Sequence, residues 1–144
     1  MDLELKEKTV FITGSTAGIG FATAKALLSE GAIVIINGRT STSVEAAINR
    51  LEQAFPNETI TGISADFSKQ NEVNSLLENL PKIDILINNV GVYSSGSFFK
   101  TEDAEWYRQF EVNVMSGVRL SRIILPSMLA NNWGRILFIS SECA

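Results

Sequence analysis

The chain contains no histidine, one cysteine and three prolines in 144 residues, and its 12 Lys and Arg are outnumbered by 16 Asp and Glu. Without histidine, neither a His-based catalytic triad nor a His metal site can be built, and no metal is expected. A lone Cys143 excludes an internal disulfide, which fits a reducing compartment, and the cytoplasm is the expected location. The net charge of -4, with no basic cluster, argues against nucleic acid or an anionic membrane as partner. Nothing reads as a signal peptide or as a run of roughly 20 apolar residues able to span a bilayer. What remains is a chain of ordinary single-domain size with enough apolar sequence for a core.

The most informative stretch is Thr13-Gly14-Ser15-Thr16-Ala17-Gly18-Ile19-Gly20. It follows the strand-forming run Thr9–Ile12, and Ile19, Ala22, Thr23, Ala26 and Leu27 recur after it at helical spacing. A strand running straight into a helix through such a loop reads as a phosphate cradle, with an ordinary strand-to-helix turn as the competing reading. Gly14 can turn with φ of either sign, Gly18 leaves bare backbone for a phosphate, and Gly20 lets the helix approach the strand. The helix then aims its free N–H groups at the anion.

The rest of the chain repeats the strand–helix rhythm that builds a parallel sheet. Gly31 ends the first helix, and Ala32–Ile36 is the second strand. Asn37-Gly38-Arg39-Thr40 stands at its exit. A carboxylate there would favour a free ribose 2'-hydroxyl, whereas the Arg39 guanidinium can fork onto a 2'-phosphate. NADP is therefore expected over NAD, with a solvated loop charge as the competing reading of Arg39. Thr42-Ser43-Val44-Glu45 reads as a capping box for a helix whose stripe is Val44, Ala47, Ile48, Leu51 and Phe55. Residues 59–65 form a third strand ending at Asp66-Phe67-Ser68, where Asp66 either caps the next helix or accepts from an adenine amino group.

Val73, Leu76, Leu77 and Leu80 mark another helix, and residues 83–87 a fourth strand that exits at Asn88-Asn89-Val90-Gly91. These amides can tie neighbouring loops to a nucleotide, or form a plain turn. Residues 92–100 make a Ser-, Gly- and aromatic-rich loop at the carboxyl end of the sheet, a candidate substrate mouth that Tyr93, Ser94, Ser95 and Phe98 would line. From Thr101 a long helical region carries Trp106, Phe110, Val114 and Val118 as core or subunit packing, and Pro126 is expected to kink or divide it. Asn113 within it is either a satisfied buried amide or the mark of a backbone kink that frees a carbonyl for water. Residues 135–139 form a fifth strand delivering Ser140-Ser141 to the same end of the sheet.

In this order the motifs resemble the short-chain dehydrogenase/reductase family, classical type. Residues 13–20 are similar to its T-G-x-x-x-G-x-G cofactor motif, and residues 88–91 to its N-N-A-G with Val for Ala. The resemblance implies a Rossmann-like α/β fold: a doubly wound parallel sheet, strand order 3-2-1-4-5, with helices on both faces and the later strands absent. It implies cofactor contacts at Gly14, Ser15, Thr16, Gly18, Ile19, Gly20, Arg39, Thr40, Asp66, Phe67, Asn88, Val90 and Gly91. Ser141 matches the serine that holds the substrate oxygen, and Asn113 the asparagine of the proton relay. The implied reaction is hydride transfer between NADP(H) and a small carbonyl or alcohol. The implied parent is a homo-oligomer.

The departure is at the end. The family's Tyr-x-x-x-Lys pair should follow the serine, yet only Glu142, Cys143 and Ala144 do; four residues after Tyr93 stands Ser97, and four after Tyr107 stands Glu111. Residues 1–144 are expected to be one dinucleotide-binding domain, C-terminally truncated relative to the family and inactive alone. The alternative is a catalytically silent nucleotide-binding or assembly module. An uncovered fifth strand would favour self-association.

Overall fold

The computed structural model describes residues 3–141; Glu142, Cys143 and Ala144, used in the sequence reading, lie outside them. Five parallel strands, β1 (Thr9–Ile12), β2 (Ile33–Gly38), β3 (Ile60–Ser64), β4 (Ile85–Asn88) and β5 (Arg135–Phe138), form one sheet in the order β3-β2-β1-β4-β5. Parallel strands need crossovers, supplied by α1 (Gly18–Ser29), α2 (Ser41–Ala54), α3 (Gln70–Asn79), and the pair α4 (Asp103–Phe110) and α5 (Ser116–Ala130). This is the doubly wound, Rossmann-like α/β fold expected from the sequence.

Alternation along β1 splits the core. Val10 and Ile12 join Leu28 of α1 and Leu51 of α2 on one face; Phe11 joins Leu76 of α3 and Leu120 and Ile124 of α5 on the other. Both faces are covered, so the buried runs 10–12, 34–36 and 85–87 of β1, β2 and β4 are apolar on both faces. Residues 3–8, before β1, lie along the surface: the Glu7 N–H donates to the Gly31 carbonyl at 3.0 Å, and Leu5 packs on the core. Gly31, with φ +76, closes α1, its N–H bonding Leu28 and that of Ala32 bonding Leu27.

Three local expectations are corrected. The inward face of α1 is Gly20, Ala24 and Leu28, one position out of phase with the stripe read from Ile19, and Ile19 is 64% exposed. Gly20 must face the strand because it alone fits there, and that fixes the helix rotation. The cap of α2 is Thr40, whose hydroxyl accepts the Ser43 N–H at 3.2 Å, two residues before the expected box. Pro126 does not divide its helix, since α5 runs through it; the division falls at a π-helical segment, Glu111–Met115. Trp106, Phe110, Val114 and Val118 are exposed, which of their two readings, core or subunit packing, excludes the core.

Candidate functional site

Strand ends and loops converge at the carboxyl edge of the sheet. Gly14 and Gly18 have φ of +60 and +57, the left-handed conformation that glycine adopts without strain. The loop between them is held from both sides. On one side, the Asn37 side chain, 1% exposed, accepts the Gly14 N–H at 3.0 Å and donates to the Ile63 carbonyl at 3.0 Å. The Asn37 N–H also donates to the Ser15 hydroxyl, which donates to the Ile12 carbonyl. Both Ser15 and Asn37 are thereby spent on shaping the loop.

On the other side, the Asn89 amide donates to the carbonyls of Thr13 and Gly14, both at 2.9 Å. The buried Thr13 hydroxyl accepts the N–H groups of Asn89 and Val90 at 2.9 Å each. The loop is thus fixed before any ligand arrives, and a preorganised anion site loses less affinity to ordering. Neither Thr13, Asn37 nor Asn89 stood among the sequence-derived contacts. The Asn-Asn pair signalled Asn89; Asn37 carried no signal beyond its place after β2.

The cradle itself is open. Ala17, the N-cap of α1, makes no side-chain bond to the helix, and the first turn holds no acidic residue, so its N–H groups and positive dipole end face outward. A Cβ built on Gly18 would meet nothing within 4 Å. An uncapped helix start with empty space before it fits a diphosphate. At the exit of β2, Arg39 is exposed and makes no ion pair among the described residues. Thr16 packs its methyl against Gly38, leaving no room for a side chain there.

Asp66 lies beyond β3. Its Oδ1 accepts the Ser68 N–H at 2.9 Å and hydroxyl at 2.7 Å, and its own N–H donates to Glu72. Partial burial pushes its carboxyl up, but the Ser68 bonds with Lys69 and Arg39 outweigh that and hold it below its ordinary value. It is ionised at neutral pH with Oδ2 left over. The Phe67 ring, 3% exposed, belongs to the core, so only its backbone is available to a ligand. Asn88, 7% exposed, donates to the Leu137 carbonyl at 3.3 Å, bracing β5, while its Oδ1 is buried without a partner. Gly91 is exposed and Val90 half-buried beside the loop.

Asn113 sits in the π-helical segment, where the Ser116 N–H reaches back five residues to the Glu111 carbonyl. The backbone departs from the α-helix there, and Asn113 is exposed rather than a buried amide. Its side chain takes the Val92 N–H at 2.7 Å and gives to the Val92 carbonyl at 2.9 Å. Arg119 pairs with Glu111 across the bulge. Ser141 follows β5, whose last bond runs from the Ile139 N–H to the Asn88 carbonyl at 2.9 Å, which puts Ser141 at the same end of the sheet. Among the described residues no cluster of His, Cys, Asp or Glu could hold a metal, and no helix is long and apolar enough to cross a membrane.

Comparison with known proteins agrees with this geometry. Residues 8–144 match the family described as short chain dehydrogenase. The chain is 51% identical over 145 residues to uncharacterized oxidoreductase YvrD of Bacillus subtilis (strain 168), covering 99% of this chain and 54% of that protein. It is 43% identical over 144 residues to uncharacterized oxidoreductase YvaG of the same organism, covering 100% and 54%. The crystal structure of L-sorbose reductase from Gluconobacter frateurii complexed with NADPH and L-sorbose superposes with a TM-score of 0.91 at 31% identity, covering 99% of this chain and 56% of that one. The chain therefore spans about half the length of the relatives it matches. A matched family model over nearly the whole chain, the strand order and the glycine loop lead to one assignment: this chain belongs to the short-chain dehydrogenase family of oxidoreductases.

Proposed function

We propose that residues 1–144 are the cofactor half of an NADP-dependent reductase acting on a small carbonyl or alcohol, as one dinucleotide-binding domain. The observation that carries the reading is the open cradle at Gly18 with the unpaired Arg39 beyond it. The N-terminal N–H groups of α1 hold the diphosphate, and Gly14, Ser15, Thr16, Ile19 and Gly20 shape that turn. Arg39 and the backbone beside Thr40 take the ribose 2'-phosphate. Asp66, through its spare Oδ2, accepts from the adenine amino group, with the Phe67 backbone beside it. Val90 and Gly91 line the nicotinamide end, and Asn88 keeps β5 beside it.

When bound, the cofactor supplies a hydride to the substrate carbonyl carbon. Ser141 holds the substrate oxygen, and the deformed backbone at Asn113 holds a water in the proton path. A proton donor is also needed, and neither tyrosine here is followed by lysine at the required spacing. The isolated chain is therefore inactive, and the parent, a cytoplasmic homo-oligomer, performs the reaction. The NADPH named for the sorbose reductase supports the cofactor preference. The second reading, a silent nucleotide-binding or assembly module, rests on the same missing pair.

Calorimetric titration with NADPH and with NADH tests both. Tighter NADPH binding without turnover of a ketone supports the cofactor half. Equal binding of the two removes the Arg39 assignment, and binding of neither removes the cradle.

A further inference from the structure

The segment after Gly91 is fastened to the helix that carries Asn113, residue by residue. Val92 is held in both directions by the Asn113 side chain. Two residues on, the Ser94 hydroxyl donates to Glu105 Oε1 at 2.5 Å and accepts from Gln109 Nε2 at 3.0 Å. Positions 105, 109 and 113 succeed one another at four-residue intervals, one ridge along α4 and the π segment. Residues 92 and 94 are thus anchored at successive places along that ridge, Val92 at position 113 and Ser94 at positions 105 and 109. Tyr93, between the two anchored residues, is 76% exposed.

Glu105 is the centre of the outer anchor. Arg108 binds it with two parallel bonds of 2.8 Å, and Gln109 adds a third at 3.1 Å. An exposed Glu–Arg pair one helical turn apart would by itself contribute little. Here the arginine fork fixes the carboxylate plane, and the bond it orients goes to a loop eleven residues away in sequence. The bonds from Arg108 and Ser94 hold the Glu105 carboxyl down to about 2, so at neutral pH it only accepts.

We infer that Glu105 is a positioning residue, which through Ser94 sets the course of residues 92–94 and so the place of Tyr93 beside the nicotinamide end of the site. The inference rests on the cofactor reading above. Ser94, expected to line the mouth, is committed to the helix instead, and Tyr93 is left to meet the substrate.

The test compares the wild-type chain with Glu105→Gln and Ser94→Ala by amide hydrogen exchange and by titration with NADPH and with adenosine 2',5'-bisphosphate, which lacks the nicotinamide half. Exchange at Val92 should rise about tenfold in both variants while β4 amides keep their wild-type rates. NADPH should bind about tenfold more weakly and the bisphosphate unchanged, because only the nicotinamide end has moved. Unchanged Val92 exchange in both variants overturns the inference, as does parallel loss of both nucleotides, which marks general destabilisation. If the wild-type chain binds neither nucleotide, the cofactor reading is what falls, and Val92 exchange alone then decides whether Glu105 fixes the segment.

Discussion

A Cβ built on Gly20 would stand 2.6 Å from the Asn89 Nδ2, the atom that binds the Thr13 and Gly14 carbonyls at 2.9 Å each. The first turn of α1 and the exit of β4 are thus in contact across the glycine loop, with no space for even a methyl group. The Gly14 carbonyl and the Ser15 Cα, both 2.8 Å from that point, are backbone atoms and cannot step aside. Gly20→Ala should therefore cost about 1–3 kcal/mol of stability by overpacking and displace Asn89 from the loop. A urea titration should show the lower midpoint, and calorimetry a loss of NADPH binding. Retention of both would mean that the helix start moves freely against the loop.

Asn37 gives a graded test of the opposite wall. Replacing it with Ala leaves the Gly14 N–H and the Ile63 carbonyl without their partner, at about 1–3 kcal/mol. Asn37→Asp keeps an acceptor for Gly14 but turns an oxygen toward the Ile63 and Ala65 carbonyls, in a site 1% exposed. Denaturant midpoints should fall in the order wild type, Ala, Asp. An Asp variant as stable as wild type would show that the amide donor is dispensable.

The fold was legible because its signals are local and repeated. Unbroken apolar runs such as residues 33–36, a glycine closing α1 and short connections dictate a parallel sheet whatever the side-chain detail. Rotation and partnership were not legible. Ile19 reads as part of an apolar stripe because periodicity gives spacing and not phase, and the phase of α1 was set by a contact between Gly20 and Asn89, 69 positions apart in sequence. Asn37 looked like a missing carboxylate, when its amide is needed as donor and acceptor at once. The bond from Ser94 to Glu105 could not be read either, since serine and glutamate are ordinary surface residues until the segment and helix lie side by side.

Acid should release the mouth segment before it unfolds the sheet. The Arg108 and Ser94 bonds lower the Glu105 carboxyl from 4.5 to about 2, so the folded chain binds that proton less readily than the unfolded one. Its contribution is complete above pH 4.5 and disappears as the pH falls toward 2. Asp66 is lowered too, adding to the same acid limb. Trp106, next in sequence to Glu105, should report the change by fluorescence in the wild type, and Glu105→Gln should flatten it between those limits. An identical acid profile in the variant would detach Glu105 from the transition.

β5 pairs only with β4 among the described residues, and Leu137 and Phe138 on it and Ile139 just after it are exposed. An apolar edge strand recruits other strands. Sedimentation at rising concentration should reveal association of this chain, and Leu137→Lys should shift it toward monomer. A wild-type chain that stays monomeric throughout would show the edge to be protected.

On the proposed reading Arg39 sets the cofactor preference, and its exposure makes the test clean. Among the described residues no ion pair holds it and its side chain is exposed, so Arg39→Ala should leave the stability read from a denaturant titration within about 0.5 kcal/mol of wild type. A guanidinium that forks onto a 2'-phosphate makes charge-assisted hydrogen bonds, whose loss costs about 1.5–3 kcal/mol, or about 10- to 100-fold in affinity. NADPH should weaken by that factor while NADH, which has no phosphate there, keeps its dissociation constant. Arg39→Lys should recover only part of the difference, because a point charge replaces a planar fork. Raising salt should narrow the gap between the two cofactors in the wild type and leave the alanine variant unmoved, since the site is exposed and screened. Equal weakening of both cofactors would place Arg39 in the shape of the loop, and no weakening of either would return it to the solvent.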